Sequence, residues 1–537
     1  MKKQTSISND ANQRKRKPGC PSSAYLRKLV TVCCFFYLQT SNAVNWSIIP
    51  TAQLQEIYSD NIRLSPKGSE KGALVTELDP GVSVIGRTAR TTLNLNYRMQ
   101  NLYNAQGDGG LTINNQLQYN SSNVLVQNKL FLTSRSSISQ QNINNTQIAV
   151  DNISGSGSRT TVSTFGLSPY WTPTFGHYAN GRLGVNYDTV NTGSASSSGS
   201  ISDSNTLGEN IQINSGSKFS KLSWGLSFNN TESYRSGGND VKFQNSSANI
   251  RPYINKNFSL FAQGGYSNNS FVSTTTTNNN GFFYTFGGKW TPSLHYSLEA
   301  GYGNNRFVTV YISPMQRFNW VTTFRDNSIG LNSGKTWQTA LNYRTRRSNW
   351  VLTHDNDTTT TQELLAKLQI FPINSTTGQS TQTTNGQPSQ SPIGSTSLTD
   401  EVIVRKRWNF SASFFTGKTT LSANAYNENR VFQVSGIHEK VRGINASWNW
   451  QFAQKTSIYL QPTWQETERD GGFFLNGIPQ SSGPSKDHRY DIAIGLSQAI
   501  TRKISGRLEV RHIDQTSNLK TNDYQENRAT ATMFMRF

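Results

Sequence analysis

At 537 residues the chain is long enough for three or four ordinary soluble domains. Yet only 34% of it is hydrophobic and 15% charged, against roughly 45–50% and 25% for such domains, the balance being Asn, Ser, Thr, Gln and 42 Gly. Disorder is excluded by 27 Phe, 21 Tyr and 11 Trp, because a chain that builds no core carries few aromatics, and helical membrane spans are excluded because no run of about 18 apolar residues occurs beyond the amino terminus.

The first 43 residues read as an export signal. A basic region with Arg14, Lys15, Arg16, Lys17, Arg27 and Lys28 precedes an apolar stretch from Leu29 to Leu38, and Ser41 and Ala43 are the small residues a signal peptidase needs, which places cleavage after Ala43. Cys20, Cys33 and Cys34 all fall in this segment, so residues 44–537 hold no disulfide and no thiolate ligand or nucleophile. Val32 before Cys33 argues against a lipoprotein signal. The segment carries +7 of the formal +20, leaving +13 for the processed chain.

From Trp46 onward the pattern is period-two alternation in segments of about 8 to 14 residues, with no helical stripe. Leu93, Leu95, Tyr97 and Met99 share one face and Asn94, Asn96, Arg98 and Gln100 the other. Later segments repeat this, with Phe282, Tyr284, Phe286 and Trp290 on one face, then Trp337, Leu341 and Tyr343, then Tyr490, Ile492, Ile494 and Leu496. One face is apolar and aromatic, the other small and polar. A soluble β-sandwich string or β-helix also alternates, but a transmembrane barrel needs this inverted arrangement, with lipid outside and water inside. The chain closes with Met533, Met535 and the terminal Phe537 on one face, a pattern similar to the signal by which outer-membrane barrels are recognised for insertion by the assembly machinery.

Short links near Gly86–Thr88, Asn255–Asn257, Arg347–Asn349, Thr416–Lys418, Gln454–Thr456 and Arg502–Lys503 alternate with long polar ones, as short periplasmic turns alternate with long external loops. The fold expected is therefore all-β: a single large antiparallel transmembrane β-barrel over 44–537 with a polar lumen, in the bacterial outer membrane. It has about 22 strands, within roughly 20 to 24, and Arg306 to Phe324 holds enough aromatics to add a hairpin. Asn374 to Ser397 is low-complexity and reads as an external loop, or as one folded inward to constrict the pore. A start of the strands at Trp46 leaves no room for an amino-terminal plug domain.

No catalytic constellation emerges, and neither metal nor cofactor is expected. Gly417-Lys418-Thr419 and Gly334-Lys335-Thr336 lack the earlier glycine of a phosphate loop, Ala412 and Ile329 standing there. The six histidines show no ligand spacing, although His354 lies beside Asp355 and Asp357. A membrane hydrolase would need Ser and His at one level outside, which alternation alone cannot place. Basic residues are spread over many strands without a compact patch, which argues against nucleic acid. Alternation points Arg98, Arg182, Arg344, Arg346, Arg405, Arg407, Arg507, Arg511 and Arg528 into the lumen against Glu299, Asp491 and Glu509. Two readings stand: an anion-selective wall, or arginines that pair with carboxylates across strands.

The segments Trp46-Ser47-Ile48-Ile49-Pro50, Tyr58-Ser59-Asp60-Asn61-Ile62, Leu78-Asp79-Pro80-Gly81-Val82-Ser83-Val84, Leu167-Ser168-Pro169-Tyr170-Trp171 and Leu341-Asn342-Tyr343-Arg344-Thr345-Arg346-Arg347 resemble those of the outer-membrane proteins associated with PEP-CTERM/exosortase systems. The resemblance spans most of the processed chain, apart from Asn304 to Lys335 and the low-complexity loop. It implies a Gram-negative outer membrane, a neighbourhood of exopolysaccharide production and protein sorting, and no reaction. The expectation is a passive outer-membrane channel for exopolysaccharide or related anionic material, with outer-membrane lipid, anionic polysaccharide and periplasmic export components as partners. A structural or adhesive surface barrel is the alternative.

Overall fold

In a computed structural model, strands of 8 to 16 residues account for nearly all regular structure. The described residues are 45–537 without 106–109, 144–148, 150, 156–158, 194–200, 275–279, 369–397, 472–473, 476–477 and 480–482. The expected export signal, its cleavage point at Ala43 and the low-complexity loop Asn374 to Ser397 lie outside them. No described helix is long and apolar enough to cross a membrane.

Twenty-four staves, each hydrogen-bonded to its sequence neighbours, form one antiparallel sheet, joined by a two-residue strand, Thr174–Phe175. The first, β1 (Asn45–Ser59), pairs with the last, β24 (Tyr524–Arg536), from Thr51 opposite Arg536 to Ser59 opposite Arg528. The sheet is thereby closed, and closure is the only way a sheet satisfies every backbone group in lipid. The stretch Arg306 to Phe324 forms the hairpin its aromatics suggest, as β14 (Asn305–Met315) and β15 (Phe318–Asn327), which raises the expected 22 strands to 24.

Burial separates the two faces. On β12 (Gly281–Ser293) Phe282, Tyr284, Phe286 and Trp290 are exposed, while Phe283 and Thr285 are buried. On β22 (Ser485–Ala499) Tyr490, Ile492, Ile494 and Leu496 point out while Asp491 and Ala493 are buried. Large apolar side chains outside and buried Gln, Glu and Arg inside is the reverse of a soluble core. Transfer of each such outward side chain into lipid stabilises by about 1.5–3 kcal/mol. Met533 is exposed on the outward face of the closing strand, which also carries Met535, and Phe537 is exposed one residue past the strand's end.

The links alternate between two rims. Eleven turns of two to seven residues occupy one rim, together with the beginning of β1 and the end of β24; the links at the other run up to 361–401. Short turns are periplasmic in bacterial barrels, so the long links face outward from the cell.

Candidate functional site: the lumenal wall and its outer closure

Most of the arginines placed inward by alternation are on the inner wall, and most are engaged. Arg98, on β3 (Thr91–Asn104), is buried; its Nη1 lies 3.2 Å from Asp79 on β2 (Ala73–Arg87), and its Nε and Nη2 donate to Gln116 Oε1 at 2.9 and 2.7 Å. Arg405 and Arg407 lie on β18 (Val402–Phe415) and belong to a ladder across five strands. Arg405 meets Asp357 at 2.7 Å and Arg407 meets Glu428 at 3.4 Å; Arg430, fully buried, bridges Glu428 and Glu439 at 2.7 Å each, and Arg469 closes on Glu439 at 2.6 Å. Glu428 and Arg430 come from β19 (Thr419–Phe432), Glu439 from β20 (His438–Ala453) and Arg469 from β21 (Thr456–Arg469). On β23 (Ile504–Ser517), Arg511 pairs with Glu509 at 3.1 Å and with Asp491 at 3.5 Å. Removing one member of such a buried pair costs about 3–5 kcal/mol, because the other is left without its partner.

The remaining five differ. Arg507 donates to the Tyr459 hydroxyl at 2.7 Å and lies over that ring. Arg182 is exposed and stacks on Tyr170 at 4.3 Å. Arg344 is the exposed last residue of β16 (Gly334–Arg344), at the short-turn rim. Arg346 is not on the wall at all: the strand ends at Arg344, and Arg346 lies exposed in the turn before β17 (Ser348–Thr360). Alternation was carried two residues past the point where the chain leaves the sheet. Arg528 takes part in the closure described below.

The wall also holds aromatics that alternation alone does not reveal. Tyr426 faces Gly443 in register, Tyr459 faces Gly495, and Phe261 faces Gly287. A Cβ on any of these glycines would collide with the facing ring, so each ring lies flat in the space its glycine leaves. Arginines cover these rings, Arg407 over Tyr426 at 5.4 Å, Arg507 over Tyr459 at 4.5 Å and Arg251 over Phe261 at 5.1 Å, contacts worth about 0.5–2 kcal/mol each. The legible signal is a glycine opposite an inward aromatic, which needs the strand register. Arg135, with Asp188 at 2.6 Å, and Arg251, with Glu299 at 2.8 Å, are further inward ion pairs the sequence reading did not include.

Two loops fold inward at the outer end. The link between β5 (Leu130–Asn142) and β6 (Arg159–Trp171) turns onto the inner wall. There Asp151 accepts from Arg528 Nη1 and Nη2 at 3.1 and 2.7 Å, Ser154 donates to Glu526 at 2.5 Å, and Asn152 donates to Gln100 at 2.8 Å. Ile153 is buried with Ile57, Ala73, Val75 and Leu102. Burial alone would raise the Asp151 carboxyl, but Arg528, with Arg511 behind it, holds it below the ordinary carboxylate range.

After β17 a short helix, α1 (Thr361–Ala366), is capped by Thr360, whose side chain accepts from the Glu363 N–H. Its Leu365 and Ala366 are buried with Val162 on β6 and Val190 on β7 (Ala179–Thr192), and with Leu398. A circular ring of 24 staves would be roughly 45–50 Å across at about 4.8 Å spacing and about 40° tilt. The helix is about 9 Å long and starts directly from β17, eleven staves from β6. The outer ends of these two walls are therefore drawn together across the lumen. Nearby, Asp400 accepts from the Ser202 N–H and from Gln362, and its carbonyl accepts from Arg235.

His354 and its acidic neighbours do not form a site. His354 stacks on Trp408 at 4.3 Å and stands 5.8 Å from Trp337 on the outer face, whereas Asp357 points inward to Arg405. Among the described residues no group of three or more His, Cys, Asp or Glu could hold a metal ion.

No family model and no curated protein matches the chain. Solved structures with a similar fold include the siderophore receptor PirA from Acinetobacter baumannii. It is 11% identical, with a TM-score of 0.42, over 91% of this chain and 80% of that one. The FrpB iron transporter from Neisseria meningitidis (F3-3 variant) is 11% identical, with a TM-score of 0.43, over 93% and 82%. OmpT, an outer membrane protein of Vibrio cholerae, is 7% identical, with a TM-score of 0.28, over 93% and 100%. The assignment as a transmembrane barrel rests on the closed register and the apolar outer face.

Proposed function

We propose that the protein is a passive outer-membrane conduit, narrowed at its outer end by two inward loops, for a hydroxyl-rich polymer such as an exopolysaccharide. The resemblance to PEP-CTERM/exosortase-associated proteins supplies the setting, and the polymer would be moved by machinery upstream. The observation that carries the reading is the inner wall. Ser, Thr, Asn and Gln alternate there with aromatic rings seated over glycines and capped by arginine, while most arginines are neutralised by carboxylates. Such a wall offers hydrogen-bonding groups without a strong field, and its buried rings stiffen it rather than face the lumen.

The outer closure favours a second reading, a structural or adhesive barrel that never opens. Planar-bilayer recording separates the two. The conduit reading expects rare openings from the native protein and frequent ones after Asp151→Ala combined with Leu365→Asp, which release both inward loops. Silent bilayers from the correctly inserted double variant would leave the structural reading standing.

A further inference from the structure

The short-turn rim carries a charge pattern unlike the rest of the molecule. Its eleven turns hold twelve Lys and Arg and no Asp or Glu. Nine of the turns contribute, for instance through Lys129, Lys218, Lys256, Arg317, Lys418 and Lys455, and these side chains are exposed. The other two turns contain His177 and His295. Nor does any acidic residue lie within three positions of a turn along the flanking strands. The links at the opposite rim hold five Lys and Arg against eleven Asp and Glu. Twelve like charges gathered on one rim repel one another, and a surface of opposite sign would relieve that cost.

The geometry of the outward face says what that is. On the same rim, just inside the turns, Trp290, Tyr296, Trp350, Phe414 and Trp450 are exposed on the outer surface. Aromatics of this kind mark the level of lipid headgroups. A basic ring directly outside an aromatic girdle, running round the whole circumference, matches an annulus of lipid rather than a partner docked at one sector.

We propose that this rim is an annular binding surface for anionic phospholipid headgroups of the periplasmic leaflet. It would anchor the barrel in register with that leaflet and fix which rim faces inward. The inference is independent of what the lumen carries.

The test uses the full protein in nanodiscs made from equal parts phosphatidylcholine and phosphatidylglycerol, with the lipid retained after stepwise delipidation quantified by mass spectrometry. A bias of about 1 kcal/mol per basic residue near the surface corresponds to about fivefold enrichment of phosphatidylglycerol at contacting sites. That enrichment should fall to near parity when Lys129, Lys218, Lys256, Arg317, Lys418 and Lys455 are all changed to Gln. Equal retention of the two lipids by the native protein would overturn the proposal, as would undiminished enrichment in the variant. If the variant does not insert, the native protein decides alone. Raising salt to 1 M shortens the screening length to about 3 Å, and enrichment that survives it unchanged is not electrostatic. Native protein that binds an oligogalacturonate probe at the rim while showing no lipid preference would overturn it in favour of a polymer surface.

Discussion

Asp151→Ala should release the β5–β6 loop from the inner wall. The substitution strips the bidentate partner from Arg528, which is only 4% exposed. Loss of one member of a buried pair costs about 3–5 kcal/mol, and the lower end applies because Glu526 remains two residues away on the same face. About 3 kcal/mol corresponds to about a 150-fold rise in the undocked population. The readout is the Gly155 amide, which donates to the Ile62 carbonyl at 3.0 Å and does not involve Asp151. If loop undocking governs its exchange, its hydrogen-exchange protection should fall by that factor, while amides in the middle of β22 keep theirs. Ser154→Ala, which removes one hydrogen bond to Glu526 at about 1 kcal/mol, should cost only about fivefold. A folded Asp151→Ala protein whose Gly155 protection drops less than threefold would refute the claim that the ion pair holds the loop.

The same loop carries a pH prediction. The Asp151 carboxyl is held below its ordinary range in the folded chain, so its contribution is complete above the ordinary carboxylate pKa of about 4 and is lost only as pH falls through the lower folded value. Gly155 protection, corrected for intrinsic exchange, should stay flat from pH 7 to about pH 4.5; a loss centred near pH 6 would point to a different titrating group. Gly495→Ala should displace the Tyr459 ring, which the new methyl would strike, and with it the bonds from Tyr459 to Glu509 and from Arg507. A cost of about 1–3 kcal/mol is expected in urea titrations of vesicle-inserted protein, largely recovered by adding Tyr459→Ser; no change in midpoint would mean that the ring is not seated there. Ile492→Arg, at the middle of an outward face, should cost about 2–4 kcal/mol in the same assay, and a neutral result would contradict the lipid-facing assignment.

Alternation was sufficient to read most staves, their two faces and six of the eleven short turns, because lipid outside and water inside impose period two on each strand separately. It missed what depends on neighbours. Phe261, Tyr426 and Tyr459 look like misplaced outward residues until register sets Gly287, Gly443 and Gly495 beside them. Arg346 shows the opposite error, where a local rule was extended beyond the strand that justified it. The closure was illegible for a stronger reason. Asp151 meets Arg528 across 377 positions and Asp400 meets Ser202 across 198, and the residues of these loops carry no periodicity from which such pairs could be inferred.

The positive balance of the chain takes a different meaning from these placements. Of the arginines expected to line the lumen, Arg98, Arg405, Arg407, Arg511 and Arg528 each face a carboxylate. That pairing bears directly on passage. A wall of unpaired arginines would hold an acidic polymer at every step, and because successive contacts on one chain multiply rather than merely add, a multivalent anion would enter and not leave. Conduction needs contacts strong enough to admit the chain and weak enough to release it. If the lumen is a conduit, carboxylate-neutralised guanidiniums meet that condition for a hydroxylated polymer whether or not it bears acid groups, and the strongest unbalanced charge lies in the turns of the short-turn rim.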